Sequence, residues 1–381
     1  MGLGFSHNNK KKGTMKKTLG LLLLSACFAY NAQAQLARGF YRIQNTYTNR
    51  YISLTDNNPA NYPVSASNIT MPGIKTIKPG EAVYTNPSTI YLIYNVGGTQ
   101  YDMEAQGTSI HYITGGKMYI NLDLQSDGSY QAYGTYSGIS AWLADDSEQD
   151  VDESYLKNRS SKTRNWWARP VDTANEYLGI KPDVEVDGKY YGTIYASFPF
   201  KLVSGGMKAY CVTEAAGSGF KMEEISGVIP ALTPVIVECS SNSPAENKIL
   251  PVEDGSELGK TNKLYGALCA RVSSRYWNVV PYDATTMRTI GKSDGKLAFV
   301  KASGSDLVES LYLRANKAYL LVPNDAASTL VLNGNMDTGI NDVKYENTTN
   351  NRWYSLDGRE LKSEPTKKGI YIKNGKKVIV K

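Results

Sequence analysis

The chain has 381 residues, 41% apolar and 20% charged, with 42 Lys and Arg against 36 Asp and Glu for a formal net charge of +6. That length exceeds what one hydrophobic core ordinarily organises, so several units in series are expected. Five lysines and no acid lie in the first 34 residues, and eight basic residues against three acids lie in the last 29, which leaves about −4 for residues 35–352. The basic excess therefore belongs to the two ends, and a body built around a nucleic-acid-binding face is excluded.

Residues 10–34, KKKGTMKKTLGLLLLSACFAYNAQA, join a lysine-rich start, an apolar run from Leu19 to Tyr30 and the small-x-small site Ala32-Gln33-Ala34. This order predicts a secretory signal peptide over 1–34, cut between Ala34 and Gln35, with Met15 as an alternative start. The run is too short for a spanning helix, which needs about 20 residues. A second box, Leu24-Ser25-Ala26-Cys27, fits lipoprotein cleavage at Cys27 and ranks behind the Ala-Gln-Ala site, which follows a longer apolar run. The expected mature chain is exported, secreted or held at the outer membrane or cell surface, and has no transmembrane helix.

Beyond Gln35 the apolar residues alternate with polar ones over short runs such as FYRIQN, RYISL, IYLIYN, KMYINLDL, PVIVE and AYLLV, punctuated by Asn-Gly, Asp-Gly and Gly-Gly. Alternation at period two predicts strands with one face on a core and the other in water, and the pairs mark turns. No long helical period occurs, so the fold class is all-β. Within 35–182, Tyr41-x-Ile43-x-Asn45 followed by Tyr51 recurs as Tyr91-x-Ile93-x-Asn95 followed by Tyr101, at a constant offset of 50. A looser copy lies in MYINLDLQSDGSYQAYGTY, and NWWARPV at 165–171 reads as a closing strand. Three hairpin units predict a β-trefoil-like barrel. The lead FYRIQNTYTNRYISL resembles the first repeat of ricin-type and related trefoils, many of which bind carbohydrate. The Gln-x-Trp signature of the ricin type is absent, so the resemblance carries no sugar site over.

Candidate chemistry in this unit is sparse. Asp102 and Glu104 share one strand face, the geometry of a solvated pair or, less simply, of paired carboxylates for glycoside hydrolysis. His111 is the single histidine of the expected mature chain and lacks a Gly-x-Ser-x-Gly partner, which argues against histidine-assisted hydrolysis. Asp145–Glu153 reads as a solvated acidic loop, because it lacks the spacing of calcium loops. No metal or cofactor site is expected. Tyr130, Tyr133, Tyr136, Trp142, Trp166 and Trp167 concentrate rings that serve either as strand core or as platforms for sugar C–H faces. Trp166 and Trp167 are adjacent, so a strand sends them to opposite faces. Asp172-Thr173-Ala174 resembles the short O-glycosylation motif of Bacteroidota.

Residues 186–335 form a second unit with an internal echo: IPALTPVIVE at 229–238 parallels LRANKAYLLV at 313–322, and MKAYCV at 207–212 echoes NKAYLL at 316–321. A β-sandwich-like module of two related halves is expected, and YYGTIYASFPFKLVSGGMKAYCVTE resembles a recurring module of exported Bacteroidota proteins. Cys211, Cys239 and Cys269 all sit in strand-like runs. Two readings fit them: a Cys211–Cys239 disulfide between neighbouring strands, or three buried small apolar side chains.

An Asn- and Thr-rich linker, 336–352, precedes WYSLDGRELKSEPTKKGIYIKNGKKVIVK at 353–381. The turn at Asp357-Gly358 and the element Pro365, Gly369, Tyr371 resemble the last strands of type IX secretion sorting domains, although the unit is shorter than the family's. That resemblance implies recognition by outer-membrane export machinery. Together these features predict an exported, non-catalytic cell-surface binding protein with a glycan or host-surface polymer as ligand. The alternatives are a structural or accessory surface protein with no small ligand, and a glycoside hydrolase.

Overall fold

The computed structural model describes residues 35–54, 74–109, 119–136, 139–145, 153–157, 163–268, 280–336, 353–355, 360–373 and 376–380, together with Met1. The candidate leader with Cys27 and Ala34, His111, Cys269, residues 337–352 and the Asp357-Gly358 turn lie outside the described residues. The described architecture is all-β, with only short helical turns between strands.

Twelve strands form the first unit: β1 Gly39–Asn45, β2 Tyr51–Leu54, β3 Ile74–Ile77, β4 Tyr91–Gly97, β5 Gln100–Ala105, β6 Thr108–Ser109, β7 Ile120–Leu124, β8 Tyr130–Tyr136, β9 Ile139–Trp142, β10 Ala144–Asp145, β11 Glu153–Lys157 and β12 Asn165–Pro170. Six of them close a barrel in the order β1, β12, β8, β7, β5, β4, with β4 pairing back onto β1. Closure removes the open edges that an alternating sheet would otherwise expose. The inward positions are the apolar ones that alternation marks, including Tyr41, Ile43, Tyr91, Ile93, Met103, Ile120 and Trp166. β12 is indeed the strand that closes the barrel, bonded to β1 on one side and β8 on the other. Off β1, the strands β2, β3, β11 and β10 extend as a side sheet.

The 50-residue repeat has a physical counterpart. In both copies the strand ends in an Asn that folds the turn: Asn45 Oδ1 accepts from the Tyr47 and Thr48 amides at 3.0 Å, and Asn95 Oδ1 from the Gly97 amide at 3.0 Å. Yet the two copies, β1 and β4, are neighbours in the barrel, with Tyr41 directly opposite Tyr91. Threefold-related strands of a six-stranded barrel stand two places apart, so this repeat reuses a local motif and does not mark the threefold unit.

The second unit holds a curled sheet of ten strands in the order Val184–Val186, Lys189–Ile194, Val235–Cys239, Lys208–Ala216, Gly219–Ile225, Thr329–Leu332, Lys296–Val300, Met287–Ser293, Lys317–Leu321 and Leu264–Ala267. Its two halves follow one plan. From Lys189 and from Leu264 alike, the first strand pairs with the last of its half, which pairs with the second, which pairs with the third. Val235–Cys239 and Lys317–Leu321 occupy the same place in that plan, as the IPALTPVIVE and LRANKAYLLV echo requires. The MKAYCV echo joins strands in different places and is a coincidence of local pattern. Asp187-Gly188 and Asp294-Gly295 turn hairpins with φ of 50° and 75°, and of 49° and 72°, the left-handed pair that a two-residue hairpin turn needs.

A four-stranded sheet, Leu178–Gly179, Lys248–Pro251, Phe200–Leu202 and Val228–Ile229, covers part of this unit and packs a core around Phe200, Val235 and Ile249. Leu178–Gly179, inside the range expected for the first unit, is therefore a strand of the second. The two units share a packed boundary. Phe40 meets Phe198 with ring centroids 5.5 Å apart, and Leu268 completes the barrel core. Gln106 and Asn316 exchange amide hydrogen bonds of 2.7 and 3.0 Å. The tail forms a separate sheet in which Gly369–Lys373 lies between Trp353–Ser355 and Lys376–Val380.

Candidate functional site

On the barrel, β9 and β12 run end to end along one edge of β8. Tyr133 lies opposite Trp142, Gln131 opposite Asn165, and Tyr130 opposite Trp166. Side chains alternate across the wall, so Tyr133, Gln131, Asn165, Trp142 and Trp167 share the outward face while Tyr130 and Trp166 turn inward. Tyr133, Trp142 and Trp167 are half-exposed. The Tyr133 and Trp142 ring centroids are 4.6 Å apart, tilted by 50°. Four residues of β8 separate the Trp142 level from the Trp167 level, about 13 Å at the usual strand rise.

Between the rings, Gln131 Nε2 donates to Asn165 Oδ1 at 3.1 Å, and Asn165 Nδ2 donates to Ser129 Oγ at 3.3 Å. The Arg164 guanidinium stands 5.4 Å from the Trp142 ring, and its Nε is buried with no hydrogen-bond partner. Arg169 lies 5.9 Å from the Trp167 ring and is held by Gln44. The surface thus presents two aromatic stations with amides between them and a guanidinium beside each ring.

Other expected site residues fall elsewhere. Trp166 does not belong to a binding surface: it is 1% exposed, and its indole Nε1 donates to the Leu143 carbonyl at 3.0 Å inside the barrel. Tyr136 belongs to β8, and its side chain lies outside the described set. The expected Cys211–Cys239 disulfide is absent, and both residues are buried free thiols. Their strands are neighbours, but Tyr210 pairs with Ile236 and Lys208 with Glu238, so the cysteines sit past opposite ends of the paired segment. That places them about 13 Å apart along the strands, well beyond the Cα separation a disulfide spans. Burial raises both thiols, that of Cys239 up to about 12.

Of the expected acidic loop, residues 146–152 lie outside the described residues, and Asp145 is not solvated. It is 3% exposed, accepts from Thr76 Oγ1 at 2.8 Å and from Thr48 Oγ1 at 2.5 Å, and lies 3.6 Å from Arg50. Asp102 and Glu104 do share a face, where the Tyr94 hydroxyl donates to Glu104 at 2.7 Å and lies 3.4 Å from Asp102. Burial raises the Tyr94 phenol, as does its bond to Glu104, so the two carboxylates are bound up with a neutral donor. Asp172 Oδ1 folds its turn by accepting the amides of Ala174, Asn175 and Glu176, and Thr173 is exposed beside it. In the tail, the Tyr371 hydroxyl donates to the Lys367 carbonyl at 3.0 Å and the ring packs edge-on to Trp353. Gly369 lies against the Tyr371 ring, while Pro365 is half-buried. Gln35 is exposed and donates to the Gly98 carbonyl at 3.4 Å.

A feature without a sequence signal is a cleft of about 680 Å³ along the boundary of the two units, lined by Asn86 from the barrel side and by Lys181, Asp183, Arg314 and Lys317 from the second unit. Its residues come from segments far apart in sequence and form no motif. Among the described residues no group of three or more His, Cys, Asp or Glu side chains is gathered where a metal could sit, and no helix is long and apolar enough to cross a membrane.

No protein-family model matches the chain, and no curated protein matches it in sequence. Among solved structures, it is similar to a chain described as "Structure and mode of action of a mosquitocidal holotoxin", at 10% identity and a TM-score of 0.27, over 77% of this chain and 41% of that one. This chain thus spans less than half the length of that neighbour.

Proposed function

We propose that this protein is an exported, non-catalytic binding protein, and that the outward β8, β9 and β12 face of a trefoil-like barrel receives a glycan. The observation that supports this reading is the placement of Tyr133, Trp142 and Trp167 on one accessible face, with the Gln131–Asn165 amide pair between them. Aromatic faces pack against sugar C–H groups, amides and guanidinium groups satisfy hydroxyls, and the wider spacing of the two stations suits an extended chain better than a single ring. The side chains stand on a closed barrel, so little ordering entropy is lost on binding.

The leader ending at Ala34 supports passage across an inner membrane. The tail around Pro365, Gly369 and Tyr371 supports handling by outer-membrane export machinery. A glycan array probed with the full chain is expected to show polysaccharide binding that falls about fivefold in each of Trp142→Ala and Trp167→Ala and further in the double variant, since each ring contributes on the order of 1 kcal/mol. Absence of binding to every polysaccharide, or unchanged binding in the double variant, would overturn the assignment. Deleting 348–381 and fractionating cells tests the address: unchanged surface delivery would reduce the tail to a cap.

A further inference from the structure

We propose that the tail sheet is a membrane-docking element whose isoleucine face sits in the surface of an anionic phospholipid bilayer. Period two divides the tail into two faces. One face is its core: Trp353 is 6% exposed, lies edge-on to Tyr371 and under the Lys373 ammonium at 4.6 Å, and Val378 stands opposite Tyr371. The other face collects all three isoleucines of residues 353–381. Ile370 and Ile372 alternate along one strand, Ile379 stands directly opposite Ile370, and Tyr354 directly opposite Ile372.

This second face is open. Ile379 is 68% exposed and Ile370 37%, and Ile372 and Tyr354 are half-exposed. A sheet with one core and one wet face carries polar residues on the wet side, and this one carries isoleucine there instead. Apolar side chains gathered on an accessible face mark a contact surface.

Size and charge select what it contacts. Two of the strands have five residues each, and at the usual strand rise and spacing they and their neighbour offer a face of roughly 200 Å². A stable protein interface takes about 800 Å² from each partner, so a second copy or another protein would find too little to hold. A bilayer surface needs no complementary shape: it takes up apolar side chains singly, and lysines around them add attraction to anionic headgroups. Among the described side chains of the tail, Lys362, Lys367, Lys368 and Lys373 stand against one acid, Glu364. Lys367 and Lys368 are exposed and lead directly into the strand that bears Ile370, which sets positive charge beside the apolar face. Residues 35–352, at about −4, would be repelled by the same surface, so docking falls to the tail. Tyr371, on the core face, takes no part, and neither does the aromatic face of the barrel.

The test is cosedimentation of the chain from Gln35, free of the lysine-rich leader, with vesicles of phosphatidylcholine alone and of phosphatidylcholine with equimolar phosphatidylglycerol. The chain is expected to pellet with the anionic vesicles, to stay in solution with the neutral ones, and to be released by added salt. Ile370→Ser with Ile379→Ser is expected to weaken binding at least about tenfold. Lys367→Gln and Lys368→Gln, which lie outside the strands and leave the sheet intact, are expected to weaken it about fivefold each. Trp142→Ala with Trp167→Ala should leave vesicle binding unchanged, which separates this face from the glycan surface. No binding to the anionic vesicles, equal binding to the neutral ones, or unchanged binding in both the lysine and the isoleucine variants would overturn the proposal. So would a dimer formed without lipid that Ile379→Ser dissolves, since the face would then belong to a second copy.

Discussion

Arg42→Met tests the most consequential buried charge in the barrel wall. Arg42 is fully buried, and its guanidinium donates to Thr89 Oγ1 at 3.1 Å and to the Glu176 and Tyr177 carbonyls at 2.6 and 2.9 Å. Its charge partner is the Glu176 carboxylate at 3.7 Å, whose Oε2 has no hydrogen bond of its own. Burial pulls the Arg42 group down and pushes the Glu176 carboxyl above its usual 4.5, while Arg42 opposes the latter shift. Removing one partner of a buried pair costs about 3–5 kcal/mol when the other charge stays desolvated. Here Glu176 would keep only the Tyr51 hydroxyl at 3.1 Å and the partly exposed Arg169 at 3.8 Å, which places the cost toward the lower end. The folded state already holds the Glu176 proton more tightly than the unfolded chain does. Stability therefore falls as pH rises from 4.5 through the raised folded value, and losing Arg42 carries that window further upward. The deficit of Arg42→Met is thus largest at neutral pH and shrinks toward pH 4.5. Urea titrations followed by tryptophan fluorescence at pH 7.5 and pH 5 measure it. Arg42→Met with Glu176→Gln should recover the charge part at pH 7.5 and leave the loss at the two carbonyls and Thr89. A deficit below about 1 kcal/mol at pH 7.5, or an equal deficit at both pH values, refutes the reasoning.

Three further expectations follow from packing. Trp166→Ala should cost about 3–5 kcal/mol of stability by emptying the barrel core, whereas Trp167→Ala, one residue away on the outer face, should stay within about 0.5 kcal/mol, both read from the same urea titrations. Cys211 and Cys239 should resist a thiol reagent at pH 8 until the chain unfolds, because burial keeps both protonated, and a peptide map under oxidising conditions that found them linked would contradict the register between their strands. Gly266→Ala should lower the unfolding midpoint, since a Cβ there lands on the ring of Tyr195, and overpacking of this kind costs about 1–3 kcal/mol.

Much of the strand pattern was legible in alternation because alternation is a statement about two faces, and most strands here have one face on a core. NWWARP shows it at single-residue resolution, with Trp166 inside and Trp167 outside. Turn chemistry was equally direct at Asp187-Gly188 and Asp294-Gly295. The repeat signals were mixed for a physical reason. A strand followed by an Asn-folded turn is a locally stable unit, so it can recur at β1 and β4 without reporting any symmetry of the barrel, whereas PVIVE and KAYLL match because equivalent pairings surround both. What sequence could not show is which polar outward positions become covered. Arg42 and Gln106 sit where period two predicts water, next to the core residues Tyr41, Ile43 and Ala105, and both are buried under other segments. The same blindness hid the cleft, whose lining comes from chain segments more than 200 residues apart.

The covered polar residues also explain why that cleft keeps its shape. Interfaces between units of one chain are ordinarily polar enough to permit relative motion. Here the boundary is apolar at Phe40–Phe198 and at Leu268, and its buried amides are bonded across it: Gln106 joins both amide ends to Asn316 and donates to the Leu268 carbonyl at 3.0 Å. Sliding one unit past the other would break both bonds between the buried Gln106 and Asn316 amides, at roughly 1–3 kcal/mol for each group left unsatisfied. Such a boundary resists small displacements and opens only as a whole, so the walls bearing Asn86 and Arg314 stay in register.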